Sequence, residues 1–224
     1  MAKKLLDDKR FDKTDNRKLK KGEMVAFLDE VLNVIYTYYP KKLYFNDSKY
    51  KGSPQYIMLM ENRKENLDNL NSGENLKAEL QQILKQYSIL DWTDLESSNC
   101  YEYRVLLHKG QSIMDDDVQL IGSLGGTRFD LYLFISILNN YFYYFVSKSM
   151  LNCNSNKWKF ENIDYYSEDV QDVVNVVKKF FVLKNYKQIT KDIAEIIVED
   201  IDTKYIEKGK VKVFNCLFTE LIMP

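Results

Sequence analysis

A chain of 224 residues with 45% hydrophobic and 14% aromatic side chains, but only three prolines and eight glycines, can bury a substantial core and has little material for linkers, so one domain is expected rather than two. Its cysteines, Cys100, Cys153 and Cys216, are scattered and odd in number, and His108 is its one histidine; a disulfide framework and a Cys/His zinc site are excluded, and no metal or cofactor is expected. The net charge of −1 divides unevenly: residues 1–21 hold nine basic and four acidic side chains (net +5), and residues 22–224 hold 23 and 29 (net −6).

The chain opens on MAKKLLDDKRFDKTDNRKLKKGE, which has no apolar h-region, so a secretory signal is not expected and a cytoplasmic location is. Residues 1–21 read as a flexible basic arm and residues 22–224 as one domain. The interspersed Asp7, Asp8, Asp12 and Asp15 weaken a phosphate-binding role for the arm, and the acidic body repels nucleic acid while favouring a basic partner.

From Glu23 to Tyr39, Met24, Leu28, Val31, Leu32 and Ile35 recur at helical spacing, and Pro40 marks the stop. After a polar loop, Ser53 is placed to cap a helix with Pro54 at its first position, carrying Tyr56, Met60, Leu67 and Leu70 on one side. The NSG at 71–73 predicts a break, and Leu76, Leu80, Ile83, Leu84 and Tyr87 predict the next helix.

The period then shifts to two. Tyr101, Tyr103, Val105 and Leu107 alternate with Glu102, Arg104, Leu106 and His108, predicting a strand; Val118 to Leu124 predicts a second, ending in a strand-to-strand turn at Gly125-Gly126. The most apolar stretch, DLYLFISILNNYFYYFV at 130–146, is too short for a spanning helix and is interrupted by Asp130, Asn139 and Asn140. Its alternation predicts a buried antiparallel hairpin over 129–147, turning at Asn139-Asn140 with positive φ. KWKFENI at 157–163 predicts a further strand, and Ser167 precedes a helix with Val170, Val173, Val174, Val177, Phe180 and Phe181 inward. DIAEIIVEDI, 192–201, is read as a short helix and GKVKVFNCLF, 209–218, as a last strand, with a helical turn as the alternative. Helices, a meander of strands, then helices again describe an α+β domain with a mostly antiparallel sheet of five or six strands.

Chemistry-bearing residues are sparse. His108 is a candidate general base, but no Ser or Cys nucleophile is cued beside it. GSLGGT at 122–127 matches neither phosphate-loop pattern, and no catalytic set emerges. In MDDDV, Asp115 and Asp117 would share one side of a strand and Asp116 the other, yet EF-hand spacing is absent. An exposed acidic loop at Asp115, Asp116 and Asp117 is expected, and it suits a basic partner. Tyr143 and Glu161 are assigned to the same partner surface, tyrosine offering a rigid face and a polar tip.

The helix ending YTYYPKKLYFNDSKYKGSPQYIML (36–59), the strand CYEYRVLL (100–107) and GKVKVFNCLF (209–218), in that order, resemble the small immunity proteins that accompany bacterial polymorphic or contact-dependent toxins. The resemblance implies a non-catalytic protein that binds one toxin domain stoichiometrically and blocks its active site, the toxin being a basic nuclease where the inhibitor is acidic. Two other readings stand beside it: an enzyme with a site near His108 and Asp115–Asp117, and a nucleic-acid-binding regulator acting through the basic arm.

Overall fold

Two aromatic strands joined through Leu138 form the middle of the molecule. In the computed structural model, which describes residues 21–69, 71–110, 118–152, 157–164 and 167–221, the order begins with helices α1 (Lys21–Tyr38), α2 (Ser48–Lys51), α3 (Pro54–Asp68) and α4 (Asn71–Ile83). Strands β1 (Ser88–Asp91) and β2 (Cys100–Leu106), helix α5 (Val118–Ser123), and strands β3 (Thr127–Ser136), β4 (Tyr141–Asn152) and β5 (Lys157–Ile163) follow. Helix α6 (Glu168–Leu183), strand β6 (Lys187–Gln188) and helices α7 (Lys191–Ala194) and α8 (Val213–Leu217) complete it. The sheet runs β1-β2-β3-β4-β5, antiparallel throughout, with the short β6 added parallel to β4. The domain is α+β, as its order of elements predicts.

The sheet has a core on each face, because neighbouring strand residues point to opposite sides. On one face Cys100, Phe134, Tyr141 and Tyr143 meet the Leu28, Val31, Leu32 and Ile35 stripe of α1 and the buried C-terminal segment Val213–Phe218. On the other, Tyr101, Tyr103, Val105, Leu133 and Val146 meet Leu76 and Leu80 of α4 and the Val170, Val173, Val174 and Val177 stripe of α6; Phe142 stacks on Phe181 with ring centroids 4.7 Å apart. The stretch 130–146 thus lies in two central strands, and no helix among the described residues is long and apolar enough to cross a membrane.

The hairpin pairs as expected, but its turn differs. Ile135 faces Phe142, which centres the connection on Leu138-Asn139 rather than Asn139-Asn140. Neither asparagine takes positive φ; among described non-glycine residues only Lys42 and Asn185 do. The link is held from inside instead: Leu138 is buried, its N–H donates to Ser136 Oγ at 3.2 Å, and the Ile137 N–H donates to the Asn99 carbonyl at 2.9 Å.

Three other expectations are corrected. Val118–Ser123 is helix, not strand: Leu124 N–H bonds the Leu120 carbonyl, and Gly125 and Gly126, at φ +75° and +81°, return N–H bonds to Gly122 and Ile121, closing the helix in a Schellman arrangement. The two glycines do use positive φ, but in a helix-to-strand turn. Val213–Leu217 is also helical; every residue there is buried, so neither period marks it, and Asn215 Oδ1 accepts the Lys212 N–H at 2.9 Å to start it. Finally, Asn71–Gly73 opens α4 instead of ending a helix. Gly73 lies where the helix touches the sheet: an added Cβ would stand 2.7 Å from the Tyr101 ring, and Tyr103 donates its hydroxyl to the Gly73 carbonyl at 2.7 Å.

Candidate functional site

The residues singled out in the sequence do not converge. Asp115, Asp116 and Asp117 lie outside the described residues. Tyr143 is not on a partner surface: it is 4% exposed, packed among Phe134, Phe214 and Phe218, and burial pushes its phenol above the ordinary range. The alternation puts its side chain on the α1-facing side of the sheet, which the C-terminal segment covers. Glu161 does reach solvent, on β5, where its ion pair with Lys159 holds its carboxyl below the usual range. His108 stands just beyond β2, half-buried, with both ring nitrogens making no hydrogen bond; burial lowers its pKa, with Asp130 and Arg128 acting on it in opposite directions.

Beside His108 lies a charged cluster that residue-by-residue reading missed. Asp130, fully buried, accepts at one oxygen from Arg104 Nη2 at 2.8 Å and from Arg128 Nε at 3.1 Å. The sheet register creates this meeting: Arg104 is opposite Tyr132 and Asp130 opposite Leu106, so β2 and β3 deliver their charges to one face. The Arg104 guanidinium lies 5.2 Å from the ring centres of both Trp92 and Tyr132. Glu102, buried on the same face, has its carboxyl pushed up to about 7 by desolvation, against the pull of Arg104. Glu102 Oε1, Arg128 Nη1, Asp130 Oδ1 and both His108 nitrogens make no hydrogen bond among the described residues. The one sequence signal was charge inside strands otherwise apolar on both faces.

Such a cluster has the composition of an acid–base centre, but those five atoms are sealed from solvent. Two shallow cavities lie elsewhere. One, of about 240 Å³, is lined by Tyr87, Leu107, Lys109 and Asp169; the other, of about 270 Å³, by Tyr205, Glu207, Lys210 and Asn215. Within the group, the Arg104–Asp130 pair crosses from β2 to β3, while Arg128 and Asp130 both belong to β3.

The surface feature that stands out is α3, which is inside out. Tyr56, Leu59, Arg63 and Asn66, spaced i, i+3, i+7, i+10, face the protein: Leu59 is buried, Arg63 Nε donates to Asn99 Oδ1 at 2.7 Å, and the Tyr101 hydroxyl donates to Asn66 Oδ1 at 3.1 Å. The next stripe round, Ile57, Met60 and Leu67, faces solvent with Met58 beside it; these four are 45%, 39%, 40% and 44% exposed. Met60 and Leu67, grouped with Tyr56 on one side of the helix by the sequence, fall on a different stripe from it. The polar anchor at Asn99 decides between them, turning the more polar stripe in. Along one border of the apolar stripe runs an exposed acidic row, Glu61, Glu65 and Asp68, while Lys64 interrupts the stripe.

No protein-family model, curated protein or solved structure matches this chain.

Proposed function

We propose that this protein works by binding: it covers the active surface of a basic protein domain, in the manner of the toxin-neutralising immunity proteins it resembles, and carries out no chemistry of its own. The observation behind this reading is the outward stripe of α3. A helix that turns Arg63 and Asn66 inward leaves Ile57, Met58 and Met60 together in water, with Leu67 beyond Lys64, rather than the single exposed side chains any protein has. The Glu61, Glu65 and Asp68 row beside it selects a partner with apolar groups next to Lys or Arg. Apolar contacts would set the residence time and the acidic row the association rate. The cytoplasm is the compartment in which such an inhibitor acts.

The test uses the purified chain and the product of the neighbouring gene, which this reading makes a toxin domain. Titration calorimetry should give one-to-one binding, with Met60→Asp weakening it by roughly tenfold to a hundredfold. Glu65→Lys should slow association at low salt and have little effect at high salt. Absence of binding by the natural sequence, or equal binding by Met60→Asp, overturns the reading.

A further inference from the structure

We infer that β5 is a self-pairing edge, so that two copies of this chain join antiparallel through Lys157–Ile163 into one continuous sheet. β5 is the last strand of the β1-to-β5 order, hydrogen-bonded to β4 on one side; no described residue bonds its other side. An edge of seven residues carrying a 65% exposed phenylalanine offers a row of backbone donors and acceptors to another strand.

The side chains specify which strand. Trp158, Phe160 and Asn162 point to one face, and Lys157, Lys159, Glu161 and Ile163 to the other. An antiparallel pair with its two-fold axis at Phe160 places Lys159 opposite Glu161 of the second copy, twice, and Phe160 opposite Phe160. Trp158, already stacked on Phe160 at 6.0 Å with the planes 5° apart, adds a diagonal aromatic on each side. Neighbouring registers are worse. An axis at Lys159 pairs Lys157 with Glu161 twice but sets Lys159 against its own copy at the centre, an axis at Glu161 opposes two glutamates, an axis at Trp158 sets Lys157 against Lys159, and any half-residue shift flips one sheet face onto the other. Lysines on an edge ordinarily deter pairing; Glu161 two residues on turns that deterrent into a code for a second copy. Glu161, expected to meet a foreign partner, thereby serves this contact instead. The pairing is short, so the dimer is weak and concentration-dependent. It is independent of the α3 stripe.

The experiment is sedimentation equilibrium of the full chain over a wide concentration range, with Lys159→Glu and Glu161→Lys variants alone, mixed and combined. The natural sequence should self-associate. Each single variant sets like charges opposite each other at both sites and should associate roughly tenfold more weakly. An equimolar mixture of the two variants should recover association as a heterodimer, because every site then pairs opposite charges, and the double variant K159E/E161K should recover it alone. Thermal melts confirm that each variant is folded. A natural sequence that stays monomeric throughout, single variants that associate like it, or a mixture that fails to recover overturns the inference. Met60→Asp should leave self-association intact and Glu161→Lys should leave partner binding intact, so this result and that of the α3 surface fail separately.

Discussion

The amide of Asn99 donates to the hydroxyl of Tyr39 at 2.7 Å, joining the end of α1 to the start of β2 across 60 residues of sequence. The same amide donates to the Cys216 carbonyl at 2.8 Å, its oxygen accepts from Arg63 Nε at 2.7 Å, and its backbone N–H donates to the Phe218 carbonyl at 2.6 Å. One buried side chain therefore ties α1, α3 and the C-terminal segment to the sheet. With every partner satisfied, such a network rigidifies a core; with one member missing, it leaves buried polar groups unpaired.

Asn99→Ala removes the side-chain acceptor of Arg63 Nε and one of two donors to the Cys216 carbonyl, which keeps the Tyr39 hydroxyl at 3.2 Å. A loss of about 2–4 kcal/mol is expected, read as a lower urea midpoint. Loss of the Arg63 anchor should also loosen α3, seen as faster amide exchange over Pro54–Asp68 than over α6. An unchanged midpoint would show that these bonds are replaced by water at no net cost.

Asp130 is the hub of a buried group with two guanidiniums and one shared carboxylate oxygen. Asp130→Asn removes the counter-charge that both arginines share, leaving Arg104 the pull of Glu102 alone among the named carboxylates, and a loss of about 3–5 kcal/mol is expected. Replacing Arg104, Arg128 and Asp130 together by apolar residues of similar size should recover most of it. Urea unfolding of the two variants checks the contrast; equal losses would mean that packing, not charge, sets the cost.

Why the fold was legible and these groups were not follows from what each kind of signal encodes. The helices over 21–38 and 168–183 and the strands over 100–106 and 127–152 each bury a stripe or a face, so their period reports their state. Val118–Ser123 is too short to carry a period and Val213–Leu217 is short and buried throughout, and the two-residue β6 pairs with β4 through tertiary position alone. The sites depend on register. Nothing local in Arg104 and Asp130, 26 residues apart, announces a 2.8 Å contact; it exists because β2 and β3 pair with Leu106 against Asp130. Likewise α3 has two possible inward stripes, one residue apart, and the choice rests on a bond to Asn99 from another element.

Glu102 gives a pH dependence with a definite sign. Its carboxyl is raised from the ordinary 4.5 to about 7 in the folded chain. The folded state holds this proton more tightly, so the stability it contributes is complete below the unfolded value and is lost as pH rises from about 4.5 through about 7. His108 works oppositely: burial favours its neutral ring, so falling pH through its unfolded value costs stability. The two are separated by comparing the natural sequence with Glu102→Gln. Near pH 5 the variants should match closely, and near pH 8 Glu102→Gln should be the more stable by about 1–3 kcal/mol, since it no longer buries an ionised carboxylate. Urea midpoints at both pH values decide it, and a difference that does not change with pH would place Glu102 in contact with water.

The two faces of α3 should separate under mutation. Leu59 is 2% exposed and packs into the core shared with α1, so Leu59→Ala should cost about 2–5 kcal/mol. Met60, one residue on, points to solvent, so Met60→Gln should change stability by no more than about 0.5 kcal/mol while keeping the helix, because Gln and Met have similar helix propensity. The same holds for Ile57→Gln apart from a small gain in propensity. Urea unfolding of these three variants places the helix face directly. If Met60→Gln costs as much as Leu59→Ala, the helix is rotated by about 100° from the orientation described, Arg63 loses Asn99, and the apolar stripe belongs to the core rather than to a partner.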